Sequence, residues 1–507
     1  MSVTSKLITF AAAGAGGAPS SWVFEYGSSG SSERNSYTPD RTSLWVNNTY
    51  GGVLTCHQDG DVTYRPAVVN ILDTDGNLQL SKVLTASNFA NSANTMQDLG
   101  GCALGNDGKF WAYMLFKEDA GTYGLMPVVA HFNSSGTTQW ARQVGFPAQG
   151  NDLLASITYD AATDVVHTTH RAIGITGQQG VITRFNSNGT TPFEGLKPST
   201  NNYDIQFNDV MYNSVDGFYY HCGYSNESGS PRGTLGKFTS GSSSHSIPSS
   251  SNYQIQDANG ATLRFHQMAH DSSGNVFAVG TLFTTQKRTL VVKFNSTLTG
   301  ITTAKYITDS SNSNNCFEQN VCITVDSNDN VIIAGKHNGQ NATDRIGSQT
   351  TNNEDLIIIS LKNDLSAYNW HSIFGSERYS TDFGNGNGYG ATLGQKLMAD
   401  DNGSFYVCGN KQELISGSTR YRFFVAKLPA DGSLIDSVQV GPTSDEYKWV
   451  SATANRTLNS YTLSSDWNAS TTAILSTNTL NYTRDSTITE NFSPVDETDT
   501  TKTTYTI

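Results

Sequence analysis

Ala261–Asn295 reads ATLRFHQMAHD, SSGN, VFAVGTLF, TTQKR, TLVVKFN, and it decides the fold. Ala261–Asp271 alternates apolar and polar residues as a strand does, and Ser272–Asn275 is a Gly/Asn turn that supplies φ > 0. Val276–Phe283 and Thr289–Asn295 are apolar runs of strand length rich in β-branched and aromatic residues. A more polar stretch, Thr302–Ile307, follows as a fourth strand. Four antiparallel strands whose outermost member is the most polar match a propeller blade with its edge toward water.

The same phrase recurs along the chain. A turn rich in Gly, Asn and Asp delivers Val53, Phe110, Val165, Phe218, Val276, Val331, Phe405 and, more weakly, Tyr461, at gaps of 57, 55, 53, 58, 55, 74 and 56 residues. Strand-type contents at a near-constant period of this length are the signature of a radial β repeat. The third strand returns as VVNIL (68–72), VVAHF (128–132), VITRF (181–185), LVVKF (290–294) and FFVAKL (423–428). A fourth-strand aromatic accompanies it in Gln139-Trp140 and Asn369-Trp370-His371. The last repeat supplies Lys448–Ala454, Ser460–Ser465 and Thr472–Thr477 but no convincing fourth strand, although Thr483–Thr489 could serve. The N-terminus has a strand to spare, because Ser21–Gly27 (SWVFEYG) resembles Asn369–Gly375 (NWHSIFG). The expectation is therefore all-β: a single β-propeller of four-stranded blades, eight in number with seven as the alternative. The strand carrying Trp22, Phe24 and Tyr26 would close the ring as the outer strand of the last blade. Residues 1–20 form a flexible Ala/Gly-rich arm, 21–490 the propeller and 491–507 a Thr-rich tail.

Only 15% of the 507 residues are charged, and the net charge is −13 without a dense Lys/Arg cluster. Such a surface repels phosphate backbones and anionic bilayers, so neither nucleic acid nor membrane insertion is expected. Apolar runs are too short for a helical membrane span. Of the six cysteines, Cys56, Cys222 and Cys408 fall at equivalent places near the end of the second strand. Equivalent positions in different blades lie far apart, so these read as small buried hydrophobes. The others, Cys102, Cys316 and Cys322, show no zinc spacing. Lys6, Leu7–Ala13 and the small residues after them loosely imitate a signal peptide, against the plainer reading of an arm that threads into a neighbouring subunit.

Catalytic chemistry finds little footing. Acidic residues such as Asp73, Asp271, Asp326 and Asp400 sit in turns, where a side chain that caps its own backbone has a structural duty. Asn133–Trp140 (NSSGTTQW) departs from the Asp-box of sialidase propellers, lacking the Asp and placing the Gly one residue off. Asp73–Asn77 and Asp326–Asn330 imitate the start of an EF-hand loop without its closing Glu. His57, His221 and His337 follow the second strand in three repeats and look positional, at a rim. The longest gap holds an insertion, Glu377–Gly390, whose Tyr379, Phe383 and Tyr389 form a candidate surface-contact loop beside the alternative of an ordinary rim loop. No enzyme, metal or cofactor is expected.

The opening MSVTSKLITFAAAGAGGAPSSWVFEYG resembles the start of virion structural proteins from tailed phages of marine bacteria, cyanophages especially, and the Thr-rich Thr500–Ile507 resembles their ends. That resemblance implies a virion protein displayed on the tail, as a fibre or tail tip, or on the capsid surface. It would join other virion proteins through its N-terminal arm within an oligomeric assembly and meet a host-surface glycan or protein. The alternative is a secreted bacterial propeller that binds or cleaves polysaccharide, suggested by the signal-like start and the aromatic, amide-rich loops.

Overall fold

The computed structural model describes residues 21–27, 42–58, 67–86, 96–117, 125–143, 153–174, 177–189, 195–197, 205–226, 231–240, 245–246, 252–257, 261–284, 287–309, 317, 321–336, 346, 355–377, 381–382, 395–415, 418–441, 446–452, 456–464, 476–478, 492–496 and 501–507. They form seven antiparallel sheets arranged as the blades of a propeller. No helix occurs among them, so none is long and apolar enough to cross a membrane.

Blade 5 is the pattern for the rest. Its strands are Thr262–His270, Val276–Phe283, Lys287–Phe294 and Ile301–Asp309, in that order from the inside outward. Because side chains alternate across a strand, Val276, Ala278 and Leu282 pack with Tyr220 and Cys222 of blade 4. Phe277 and Val279 point the other way, onto Ile333 and Ile359 of blade 6. Each blade thus shares its two faces with two neighbours, and the core is a ring of seven clusters rather than one centre.

The turns explain the repeated Asp and Asn. Asp271 N–H donates to Asn275 O at 3.0 Å, while its Oδ1 accepts from the backbone N–H of Ser273 and Asn275 at 3.1 and 2.8 Å. Asp73, Asn133, Asp326 and Asp400 accept from the residues two and four further on in the same way. These side chains are spent on closing turns, the structural duty that their repetition suggested.

Three fourth strands carry a Trp with one job. Trp140 Nε1 donates to Ser187 O at 2.8 Å, Trp370 to Ala430 O at 3.0 Å and Trp22 to Thr74 O at 3.0 Å. Each acceptor lies in the outer turn of the following blade. There the ring leaves no room for a Cβ on Gly189, Gly432 or Gly76, which hold φ of +67°, +76° and +83°. The likeness between SWVFEYG and NWHSIFG therefore reflects one interblade contact made twice.

Seven blades, not eight, complete the circle. Trp22–Gly27 pairs with the third strand of blade 7, Ser418–Pro429, and so is the fourth strand of the seventh repeat rather than of an eighth. Blade 1 meets blade 7 directly, with Leu44 N–H donating to Gln395 O at 2.7 Å. The segments expected to build an eighth blade run around the outside instead. Tyr447–Ser451 adds a fifth strand to blade 6, Arg456–Ser460 to blade 5, Leu463–Ser464 to blade 4 and Ser476–Asn478 to blade 3. Phe492–Asp496 then pairs with blade 1 and Thr501–Thr506 with Trp22–Gly27 of blade 7, so these parts of the expected tail are strands of the propeller. The outer strands thus meet the blades in reverse order, and blade 2 alone has four strands among the described residues. The reason is polarity: these segments offer too few apolar residues for two buried faces, but their backbones can satisfy the exposed edges of the fourth strands. Thr483–Thr489 and the arm 1–20 lie outside the described residues.

Candidate functional site

Seven first strands stand around the axis with no further strand paired to their inner edge, and side chains reach across the blades to satisfy part of it. Asp209 lies four residues before its turn, at a bulge in Ile205–Asn213. Its Oδ1 accepts from Ser156 Oγ of blade 3 at 2.6 Å and its Oδ2 from Met268 N–H of blade 5 at 2.9 Å. One carboxyl thus joins three blades. Burial pushes Asp209 up to about 7, against hydrogen bonds from Ser156, Met268 and Val210 that favour the charged form. At the matching level of blade 7, Lys396, 1% exposed, donates to Thr42 O and Oγ1 of blade 1 at 2.8 and 2.9 Å. Asp209 borders an axial channel of about 270 Å³, lined also by Trp45, Tyr159, Tyr212, His270 and Met398.

The two ends of the ring are built differently. At one end all seven first-to-second-strand turns are short, and each except that of blade 1 carries an aspartate, Asp107, Asp164 and Asp216 among them. Lys109 is the sole cation of those turns. At the opposite end the blades are joined by the longer connections, most of which lie outside the described residues. Here Arg232 and Lys287 begin strands, Lys336 ends one, Arg264 and Arg288 lie near strand starts, and the fourth strands of blades 4 and 5 end on Asp257 and Asp309.

A third cluster locks the ring shut. Glu25, 3% exposed, meets Lys411 Nζ at 2.8 Å and Arg422 Nη1 at 2.7 Å, and accepts from Tyr447 Oη at 3.0 Å. Burial works to raise the Glu25 pKa, and the two cations outweigh it, holding the carboxyl below its usual range. Beside it His57 lies 4.4 Å from the ring centres of both Tyr26 and Phe423. Burial, with Lys502 adding to it, lowers His57 to about 3.

Of the residues singled out from sequence, Trp22, Phe24 and Tyr26 lie in one buried cluster at the seam between blades 7 and 1. Tyr379, Phe383 and Tyr389 lie outside the described residues, between the end of blade 6 and the start of blade 7. His57 and His221, expected at a rim, are 3% and 1% exposed and sit inside the blades, because each packs against an aromatic ring; His337 lies outside the described residues. The five described cysteines are free and buried. No group of three or more His, Cys, Asp or Glu among the described residues is placed to hold a metal ion. Asp209, Lys396 and Glu25 were not singled out. The signal, a charged residue inside an otherwise apolar strand, was present for Glu25; Asp209 sits among Gln206, Asn208 and Asn213, and Lys396 just precedes the strand Leu397–Ala399.

No protein-family model and no curated protein matches the chain. Among solved structures it is similar to a phage phi92 endosialidase, with a TM-score of 0.42 and 11% identity over 81% of this chain and 69% of that one. It is also similar to the polysaccharide lyase Uly1, with a TM-score of 0.42 and 9% identity over 78% and 90% of the two chains. The NanB sialidase from Streptococcus pneumoniae gives 0.39 and 10% over 79% and 70%. Likenesses this distant transfer no activity. They do correct the expectation of a protein without catalysis, since these three similar structures are all enzymes by name and the fold gives no ground for excluding one.

Proposed function

We propose that the chain is a phage virion structural protein, a propeller displayed on the tail or capsid surface whose connection-bearing end contacts a host-surface glycan. The observation that carries this reading is the unlikeness of the ends: one is closed by tight acidic turns, while the other bears the longest connections and, near its strand ends, Arg232, Arg264, Lys287, Arg288 and Lys336. Recognition on β scaffolds is concentrated in long connections held by rigid strands. The opening segment supplies the virion context, and among the described residues the outer strands of the C-terminal region cover the edges of six of the seven blades, as a surface-displayed module needs. Electron microscopy of particles carrying labelled chain, together with binding of the purified chain to host-cell glycans, tests the proposal. Chain on the particle surface and saturable glycan binding are expected; a chain found apart from particles and indifferent to glycans would refute it.

A second reading, a propeller that acts on polysaccharide, is favoured by Asp209. A carboxyl titrating near 7 in a channel wall is suited to proton transfer. Turnover of a polysaccharide that disappears in Asp209→Asn while the fold persists would establish it.

A further inference from the structure

We infer that the glycan in the proposed function is anionic, a carboxylated or sulfated saccharide, and that Arg264 and Arg288 grip it where blades 4 and 5 meet; the inference rests on that functional reading. Both arginines lie at the connection-bearing end, Arg264 near the start of blade 5's first strand and Arg288 near the start of its third. The Arg264 guanidinium lies 4.6 Å from the ring centre of Tyr224 in blade 4 and 5.3 Å from that of Phe283. That of Arg288 lies 4.6 Å from Tyr306. Both side chains are half-buried.

This arrangement suits an anion for three reasons. A guanidinium stacked on an aromatic face is held in place and keeps its N–H edge in plane, and that fork matches a carboxylate or sulfate. Arg288 Nε is buried with no hydrogen-bond partner among the described residues, so a guanidinium donor remains unspent at the spot. Tyr224 is fixed in turn, its hydroxyl donating to Gln206 Oε1 at 3.0 Å, and Leu263 N–H donates to Pro231 O at 2.9 Å to join the two blades at this level. Among the described residues of this end, Glu25 is engaged with Lys411 and Arg422, and Glu377 with Lys448 at 3.1 Å. The aspartates of the opposite end repel the same ligand, so the charge distribution also orients the ring on an anionic coat.

Binding of oligogalacturonate, a sulfated carrageenan oligosaccharide and a neutral laminarin oligosaccharide to the full chain, by calorimetry at low and high salt, tests the inference. The carboxylated and sulfated arms separate the two sources of charge. Expected are binding of at least one anionic probe that weakens with salt and a loss of about tenfold or more in Arg264→Gln and in Arg288→Gln. Lys109→Gln at the far end should leave binding unchanged. Melting temperature monitors folding, and should Arg264→Gln melt early, Arg264→Lys keeps the charge without the fork and still loses affinity. Equal binding of the neutral probe with both arginine variants unaffected overturns the inference and leaves the proposed function standing. Failure of the chain to bind any saccharide, or host cells, overturns both.

Discussion

Blade 5 and blade 7 are the same four-stranded object assembled in opposite ways. Residues 262–309 supply every one of blade 5's four inner strands in sequence order. Blade 7 takes its second and third strands from 404–429 and its fourth from Trp22–Gly27, so that Arg422 finds Glu25 across 397 residues of chain. The first is encoded by turns; the second depends on contacts that can form only after the ring has nearly closed, because long loops must be brought together first. Chemistry follows the assembly. Blade 5 is held by Val, Leu, Ile and Phe packed on both faces, whereas the seam adds a buried charge cluster that fixes register. Seam contacts should therefore be the sharper test of stability.

The largest effect is expected from Glu25→Ala. Removing the carboxylate takes from Lys411, 1% exposed, its buried ion-pair partner, a change that costs about 3–5 kcal/mol. In blade 5, Lys305 reaches Ser460 Oγ at an exposed site, and Lys305→Ala should fall within about 0.5 kcal/mol of the parent. Chemical denaturation of the two variants measures both. Equal small losses would mean that the seam is no more demanding than an ordinary blade.

Trp22→Ala comes next, at about 3–5 kcal/mol for a fully buried aromatic. Trp140→Ala and Trp370→Ala remove the same turn contact between blades that are continuous in sequence. If closure is the last step of folding, Trp22→Ala chiefly speeds unfolding and leaves the folding rate nearly unchanged. A folding rate that drops in Trp22→Ala more than in Trp140→Ala would show that the seam forms early.

Titration separates the seam from the channel by sign. His57 titrates near 3 when folded and near 6.5 when unfolded. The unfolded chain therefore binds the extra proton, and the contribution of His57, present above 6.5, is lost as pH falls. Asp209 titrates near 7 when folded and near 3.9 when unfolded. The folded chain holds the proton between those values, so its contribution is full below about 4 and lost as pH rises to 7. Each slope is about 1.4 kcal/mol per pH unit at most. His57→Phe should flatten the acid limb and Asp209→Asn the limb between 4 and 7, read as denaturation midpoint against pH. A profile unmoved by either variant would place the relevant protons elsewhere.

The contrast between the blades also marks what could be read from sequence. The Asp-x-x-Gly-Asn turn after His270 and the alternation in VFAVGTLF are local, so blade 5 was legible strand by strand. SWVFEYG was recognisable as a fourth strand because its Trp serves the same turn contact as Trp370. Its partner was misassigned because Lys448–Thr477 holds short strand-like stretches at Trp449–Ser451, Tyr461–Leu463 and Ala473–Leu475 that say nothing of which edge they will pair with. The missing Asp/Gly turn before Tyr461 was the physical cue against an eighth blade: without it two strands cannot form a hairpin, and they went to blades 5 and 4. The channel was less legible still, since Asp209, Ser156 and Met268 belong to three blades and only the closed ring brings them together.

The smallest effect is the finest test, because it compares two glycines with the same backbone need and different surroundings. Gly217 holds φ of +73° in a blade 4 turn, and an added Cβ there would meet nothing within 4 Å. Gly217→Ala should therefore cost only the left-handed strain, about 1–2 kcal/mol. Gly76 holds φ of +83° at the seam, and the same Cβ would lie 2.7 Å from the Trp22 ring and 2.9 Å from Thr504. Both of those neighbours belong to strands recruited from the chain ends, so Gly76→Ala must strain the turn and also push the closing strand and its outer companion aside. The difference between the two variants isolates the tightness of closure from the chemistry of the turn. A larger loss in Gly76→Ala, reversed in part when Trp22 is replaced by Leu, is the expected result. Identical losses would mean that the terminal strands yield freely, and that the seam is held by the Glu25 charge cluster rather than by packing.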